Sequence, residues 1–328
     1  MRPGRILPTI ALAAITMHSI PQAASLRLAT WNLQHLTEES GAGCRPRQSN
    51  DYRELRRTLQ RSEADIIAFQ EVENAQAATR IFDPQRYWVE ISNRPAARHR
   101  RHCRKRRTAA LTEQHTGFAI SKTALGKLGM SYRRLPDFTD LGIAGLRWGT
   151  QIALRSPDKA SKPLRLLSVH LKSGCAYNPL SGSTRRYACR MLIRQRGILA
   201  AWIDERAESD ERFAILGDFN RQLDQPRDQF WREIDDGETC DRQRHPTLGS
   251  VCTKGSARAN RLADLILANA GTPFPFPRNP RYPYAIDHLV LDADSAGRLV
   301  DGSYKALDYG DADRTPSDHH LISIDLRF

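Results

Sequence analysis

Residues 213–223 place a carboxylate and an amide where a buried strand should end. The apolar run at 213–216 is typical of such a strand, and Gly217 interrupts it. Asp218 and Asn220 follow two residues apart, so on an extended chain both side chains point the same way. The carboxylate can accept a proton from water and the amide can hold an oxygen, although Gly, Asp and Asn are also common in ordinary turns.

Polar residues of the same kinds end the other apolar segments of the chain. They are Asn32 after residues 26–30, Glu71 after 66–69, His170 after 165–169, Asp287 within 284–292, and Asp318 and His319 before 321–328. Asp264, within residues 261–270, is a rival to Asp287. Two histidines, four acids and two amides are the components of a metal-assisted phosphoryl hydrolase, because acids hold a hard cation and imidazoles stabilise charge on the phosphate.

Helix and strand patterns alternate along the chain and would position these residues. Residues 52–62 predict a helix with Asn50 as a possible N-cap, and residues 184–206 predict a long amphipathic helix. Residues 115–121 and 148–156 predict strands of an antiparallel layer, and residues 240–252 a loop. This mixture favours two packed sheets with helices outside, in one domain from residue 25 to residue 328.

Charge indicates the class of partner. Lysine and arginine exceed the acids by 13 and the pI is about 9.8, which favours polyanions such as nucleic acid. The densest basic run is residues 98–107, where Arg101 and Arg104 are expected to contact backbone phosphates. Most such runs are solvated loops, and that alternative stays open.

The N-terminus and the cysteines indicate export. Residues 1–24 combine early arginines, an apolar stretch and small residues, which predicts a signal peptide, and the apolar stretch is too short to span a bilayer. The expected residence is periplasmic or extracellular. Six cysteines allow 15 pairings, and proximity favours Cys175–Cys189 and Cys240–Cys252, which leaves Cys44–Cys103.

The motifs together resemble the endonuclease/exonuclease/phosphatase superfamily. The matching segments, in the family's order, are TWNLQ at Asn32, FQEV at Glu71, SVHLKSG at His170, GDFN at Asp218, IDHLVL at Asp287 and SDHH at His319. The resemblance implies a four-layer α/β sandwich of the deoxyribonuclease I type, with the site at the open end of two packed mixed sheets. It covers nearly the whole chain after residue 24.

The resemblance also implies a role for each site residue. Glu71 would be the principal ligand of Mg²⁺, with Mn²⁺ or Ca²⁺ as alternatives, and Asn32 and Asp318 would lie close to the cation. Either His319, oriented by Asp287, or Asp218 would activate water. His170 would act as general acid or stabilise the leaving oxygen. Asn220 would support the nucleophile or phosphate, and Arg147 and Lys172 would contact the substrate.

Three classes of function are compatible with such a site. The first is an exported Mg²⁺-dependent nuclease that cuts DNA, with RNA as an alternative, acts as a monomer and does not insert in the membrane. The second is a phosphodiesterase or phosphatase acting on lipid headgroups, for which aromatic residues at 274–284 would supply membrane contact. The third is a binding protein without activity, which the complete residue set argues against.

Overall fold

The computed structural model describes residues 25–97, 101–276, 284–309 and 316–328. The predicted signal peptide at residues 1–24 lies outside these ranges, as do residues 98–100 of the basic run and residues 277–283 of the aromatic segment. No helix within the described ranges is long and apolar enough to cross a bilayer.

The described elements are 16 strands, six α-helices and two short 3-10 helices at Thr139–Gly145 and Arg261–Ala263. The strands are β1 (Ser25–Leu36), β2 (Ile66–Val72), β3 (Tyr87–Ile91), β4 (His115–Ser121), β5 (Ser131–Phe138), β6 (Gly149–Arg155), β7 (Leu164–His170), β8 (Arg212–Asp218), β9 (Glu238–Thr239), β10 (Arg242–His245), β11 (Gly249–Cys252), β12 (Arg258–Ala259), β13 (Leu265–Leu267), β14 (Asp287–Asp292), β15 (Lys305–Ala306) and β16 (Ile322–Arg327). The helices are α1 (Ser49–Ser62), α2 (Ala75–Thr79), α3 (Lys122–Lys127), α4 (Tyr187–Glu208), α5 (Trp231–Ile234) and α6 (Ala293–Ala296).

Ten of the strand pairings build two mixed six-stranded sheets. The first sheet has the order β15-β16-β1-β2-β4-β3 and the second β13-β14-β8-β7-β6-β5. Within these described sheets, β1 pairs with β2 and β7 with β8 in parallel, and the other neighbours are antiparallel. The two sheets therefore share one pattern, in which a central parallel pair is flanked by antiparallel strands.

Three apolar clusters separate the chain into four layers. The inner cluster joins side chains such as Leu28 and Ile66 of the first sheet to Leu166 and Leu216 of the second. A second cluster packs α1 and α2 on the outer face of the first sheet, and a third packs α4 on the outer face of the second. The fold is therefore the predicted α/β sandwich of helix, sheet, sheet and helix, with β1, β2, β7 and β8 covered on both faces.

Several local predictions need correction. Helix α1 is capped by Gln48 through a capping box with Asp51, so Asn50 lies inside the helix and is not its cap. Strands β4 and β6 belong to different sheets and not to one antiparallel layer. The predicted loop at residues 240–252 contains the ribbon β10–β11. The local sequence pattern of β4 and β6 is compatible with one sheet or with two. Pairing with strands that are distant in sequence places them in different sheets.

The three disulfides have the pairing that proximity favoured. They are Cys44–Cys103, Cys175–Cys189 and Cys240–Cys252, separated by 59, 14 and 12 residues in sequence. The first joins the segment after β1 to a hairpin at residues 101–111, in which Leu111 N donates to Arg101 O. The second joins the loop after β7 to α4. Each therefore fixes a segment that lies outside the two large sheets.

Candidate active site

One rung of the second sheet brings three of the predicted site residues together. The register pairs His170 of β7 with Asp218 of β8, and Asp218 with Asp287 of β14. All three residues are buried, and His170 Nε2 lies 3.5 Å from Asp218 Oδ2. Because β7 and β8 run parallel, both end at this rung, and the turns after them can open a cleft.

The first sheet supplies Asn32 and Glu71 through an irregular end of its central strands. The β1–β2 pairing shifts register between Asn32 and Leu36, and Gln34, His35 and Glu71 have φ of 43°, 55° and 59°. In this turn His35 N donates to Glu71 Oε2 at 3.0 Å. Left-handed backbone at a glutamate is strained, and such strain is concentrated at functional sites.

Asn32 connects the two sheets at the cleft. Its Nδ2 donates to Asp218 Oδ2 at 3.0 Å and lies 3.3 Å from Glu71 Oε1. Its Oδ1 accepts from Gln34 N at 2.9 Å. The Asn32 nitrogen therefore contacts both carboxylates in this arrangement, and its oxygen accepts a hydrogen bond within the turn.

The segment before β16 places His319 over the rung. His319 Nδ1 lies 2.7 Å from Asp287 Oδ2, and its Nε2 lies 3.8 Å from both Asp218 Oδ2 and Asp318 Oδ1. The Tyr309 hydroxyl donates to the carbonyl of His319 at 2.6 Å. Asp287 thus fixes the ring so that Nε2 faces the cleft.

Burial controls the protonation of the site. It raises the pKa of Asp218 to about 7; the nearby His319 opposes that shift, and Asp287 adds to it. Burial lowers the pKa of His170 well below its ordinary value, and Arg147 adds to the effect. His170 is therefore neutral at pH 7, and its Nδ1 has no hydrogen-bond partner among the described residues.

A cation fits this chemistry. Asp218, Asp287 and His319 each present a ligand atom within 4.8 Å of the others, and Asp287 Oδ1 is buried without a hydrogen-bond partner in the described chain. Two buried carboxylates this close together destabilise the folded protein unless a positive charge compensates them. Among the described residues, one other group could hold a metal; it contains Cys240 and Cys252, which are joined in a disulfide and offer no thiolate.

Other predicted residues lie at different distances from the rung. Asn220 follows it, with φ of 50°, its N donating to Asp218 Oδ1 at 2.7 Å and its Nδ2 to Leu171 O at 3.2 Å. The partly buried Arg147 also donates to Leu171 O, at 2.6 Å, and burial lowers its pKa to about 10, which leaves it cationic. Lys172 uses its ammonium to donate to Ser173 O at 2.7 Å.

The remaining predicted residues lie on the hairpin or elsewhere on the surface. Arg101 and Arg104 are exposed on the hairpin at residues 101–111. Asp264 is exposed after the second 3-10 helix, so of the two rivals only Asp287 contacts His319.

Sequence reasoning missed two residues that organise the cleft. His35 Nε2 lies 3.5 Å from Glu71 Oε2, on the opposite side from His170, which lies 3.6 Å from Oε1. The fully buried Arg47 donates to the carbonyls of Leu33 at 2.6 Å and Pro316 at 2.7 Å. A polar pair inside the β1 pattern could have pointed to His35, whereas nothing in the coil around Arg47 marks it.

Three solved structures illustrate the similarity in fold. The human Nocturnin catalytic domain with bound sulfate has a TM-score of 0.57 at 13% identity, with 93% of each chain covered. D. rerio TDP2 complexed with a single-strand DNA product has a TM-score of 0.53 at 14% identity, covering 93% of this chain and 100% of that one. ANGEL2, a 2′,3′-cyclic phosphatase, has a TM-score of 0.51 at 14% identity, covering 93% and 95%.

Sequence comparison identifies the family directly. A search of curated proteins found no match. The model of the Endonuclease/Exonuclease/phosphatase family matches residues 29–319, a span that includes Asn32 at one end and His319 at the other. The chain belongs to the endonuclease/exonuclease/phosphatase family, whose members are divalent-metal-dependent hydrolases of phosphate esters.

Proposed function

We propose that this protein is an exported Mg²⁺-dependent phosphodiesterase that cleaves the backbone of nucleic acid, with DNA as its principal substrate. The observation that carries the proposal is the buried rung of His170, Asp218 and Asp287, with His319 held over it. The net charge of +13 supports a polyanionic substrate.

Metal binding is assigned to the residues around Glu71 and not to Asp218, Asp287 and His319, because the last three are assigned to proton transfer. Glu71 would be the principal ligand of Mg²⁺, with Asp318 and Asn32 beside it; Mn²⁺ and Ca²⁺ are alternatives. When bound, the cation supplies charge stabilisation to the phosphate. Asn32 would need to turn its oxygen toward the cation, because its nitrogen faces Glu71 and Asp218 in this arrangement.

Proton transfer is assigned to the two imidazoles and Asp218. Asp287 accepts from His319 Nδ1 and leaves Nε2 as a base in the cleft, 3.8 Å from Asp218. Either of these two groups would take the proton of the attacking water. The neutral His170 would donate a hydrogen bond to the leaving oxygen, and Asn220 would hold Asp218 through its backbone N–H.

Export rests on the leader and the disulfides. Residues 1–24 have the composition of a signal peptide, and three disulfides persist in oxidising compartments. N-terminal sequencing of protein from the periplasm and the culture medium should give a start near residue 25. Recovery of the intact leader in the cytoplasm would contradict export.

Hydrolysis of lipid headgroups is the second candidate, favoured by an aromatic cavity beside His319. This cavity of about 390 Å³ is lined by Phe274, Phe276 and Tyr284, with Phe276 stacked on His320 at 4.2 Å. Aromatic faces accept a nucleobase by stacking, and they also accept the quaternary ammonium of a choline headgroup. Tyr282, the fourth aromatic of this segment, lies outside the described residues.

One panel of assays separates the two candidates. Purified protein from residue 25 onward is incubated in parallel with plasmid DNA, RNA and sphingomyelin vesicles, with Mg²⁺ and with EDTA. We expect Mg²⁺-dependent nicking of DNA and no release of phosphocholine. Release of phosphocholine without cleavage of either nucleic acid would establish the second candidate and reject the first.

A further inference from the structure

A small basic pocket lies on the far side of Arg147 from the catalytic rung. Its volume is about 70 Å³, and its polar lining includes Arg94, Arg101, Thr112 and Gln114. Roughly 10–15 Å³ is enough for one water, so the pocket can hold a group of several heavy atoms. It is too small for a nucleobase with its sugar.

The pocket is cationic. Arg94, Arg101 and Arg147 line it, and Glu113 is its one described carboxylate. Both oxygens of Glu113 are already engaged, one by an ion pair with Arg94 and the other by Ala97 N at 2.7 Å. The pocket therefore keeps an excess of two positive charges, and an anion is the complementary ligand.

Several donors in the pocket wall lack an acceptor. Arg94 Nε, Arg147 Nε and Thr112 Oγ1 are buried, and none has a hydrogen-bond partner within the described chain. A buried donor without a partner costs about 1–3 kcal/mol, and all three of these atoms belong to residues that line the same cavity. A tetrahedral oxyanion offers acceptors in several directions, which suits side chains that reach the pocket from three different segments.

The pocket is linked to the reaction centre on two routes. Arg147 interacts electrostatically with Glu71 and Asp218 on one side and with Arg94 and Arg101 on the other. Gln114 Nε2 lies 3.3 Å from His35 Nδ1, and His35 Nε2 lies 3.5 Å from Glu71. The pocket and the catalytic rung are thus joined through Arg147 on one route and through Gln114 and His35 on the other.

We infer that this pocket is a subsite for a second phosphate, the one next to the scissile phosphate in a polynucleotide. The inference rests on the proposed function, since a flanking phosphate exists only in substrates with more than one phosphodiester or a terminal phosphate. Sphingomyelin has a single phosphate and would leave the pocket unfilled.

Binding to the pocket is measured without turnover. Inorganic phosphate is titrated calorimetrically into the protein in EDTA at low salt, where the acidic rung repels anions. We expect Arg94→Gln to raise the dissociation constant tenfold or more, and Thr112→Val to raise it about threefold. Arg261→Gln is the matched control, because it breaks an ion pair with Asp294 in a different basic pocket.

Use of the pocket by substrate is measured with two dinucleotides. Thymidylyl-thymidine is compared with the same dinucleotide carrying an additional terminal phosphate, at each end in turn, with Mg²⁺. In the unaltered protein the additional phosphate should raise kcat/KM tenfold or more at one end. In Arg94→Gln and Thr112→Val that ratio should fall toward one, and in Arg261→Gln it should persist.

Three outcomes decide against parts of the inference. Equal phosphate affinity in all four proteins, or no binding at all, overturns the anion site. A second outcome is that Arg94→Gln abolishes the binding of inorganic phosphate while the unaltered protein shows no preference for the dinucleotide with the additional phosphate. This outcome overturns the assignment of the pocket to substrate. Phosphate binding in the pocket of a protein that cleaves neither the dinucleotides nor plasmid DNA refutes the proposed nuclease and leaves the anion site supported.

Discussion

The two sides of Arg147 are built in different ways. On one side, His170, Asp218 and Asp287 occupy one rung of a hydrogen-bonded sheet, covered by apolar layers on both faces. On the other side, Arg101 belongs to a hairpin outside both large sheets, fixed to the molecule by Cys44–Cys103. The first side is positioned by backbone register and the second by a covalent bond between distant segments.

This difference separates chemistry from binding. Atoms that move protons must hold their geometry within a fraction of an ångström, and adjacent strands in a buried sheet provide that rigidity. Interactions with phosphates tolerate looser placement, because charge attraction varies slowly with distance. Four sets of measurements test the comparison.

The largest expected effect is on the rung. Asp218→Ala and His319→Ala should each lower the single-turnover rate at least about 1,000-fold, because each removes a group used mainly in the transition state. Circular dichroism should show an unchanged fold. Asp264→Ala, at an exposed carboxylate, is the control and should keep full activity. A rate within tenfold of the unaltered protein for either rung variant would remove these residues from the chemistry.

The next largest effect is expected from removal of a disulfide. The effect on DNA binding should differ between Cys44–Cys103, which holds the hairpin, and Cys240–Cys252. In the chain-entropy model, the decrease in the free energy of unfolding is about 4 kcal/mol for Cys44→Ala/Cys103→Ala and about 3 kcal/mol for Cys240→Ala/Cys252→Ala. The order follows from the sequence separations of 59 and 12 residues. Urea unfolding measures both decreases, and only the first variant should also weaken DNA binding. Weaker binding in both would mean that the hairpin has no special part.

The pH dependence of the free energy of unfolding tests the ionisation of Asp218. The folded protein binds the Asp218 proton with a pKa of about 7, above the ordinary value of about 3.9, so it holds that proton more tightly than the unfolded chain does. The free energy of unfolding in EDTA should therefore fall as pH rises from about 4 to about 7. At pH 8, Asp218→Asn should be the more stable protein, because its side chain does not place a negative charge in the buried site. Identical pH profiles for the two proteins would show that Asp218 ionises normally.

The smallest effect is expected on the exposed arginines of the hairpin. Arg101→Ser/Arg104→Ser should flatten the slope of log affinity against log salt by about 0.9 for each phosphate that these arginines neutralise. Turnover at saturating DNA should change little, because affinity and not chemistry is affected. Arg53→Ser/Arg57→Ser, on the exposed face of α1, is the control. An unchanged slope would make the hairpin a solvated loop.

The same comparison explains how much could be predicted from sequence. Glu71, Asp218 and Asp287 each end or begin an apolar strand, so their position along the chain already indicates a shared edge. That prediction needed no knowledge of which strands are neighbours, and the sandwich fold followed from the same pattern. The assignment of β4 and β6 to separate sheets needed long-range pairing, which local periodicity does not contain.

The pocket beyond Arg147 could not be predicted from the sequence, for a different reason. Arg94, Thr112 and Arg147 lie on segments that meet only after the hairpin and the sheets have assembled. The run at residues 98–107 predicted positive charge but not a cavity, and Arg94 was not singled out at all. Arg47 was missed likewise, since its carbonyl partners are Leu33 and His35 in β1 and the distant Pro316 before β16.

The left-handed backbone at Glu71 has a consequence for laboratory evolution. A β-carbon at φ 59° costs on the order of 1 kcal/mol or more, and glycine would not bear that cost. A library selected only for survival at high temperature should therefore enrich Glu71→Gly, and each such survivor would lack the carboxylate. Heat resistance and turnover would then be traded against each other at one position, so a screen for robust variants must assay both.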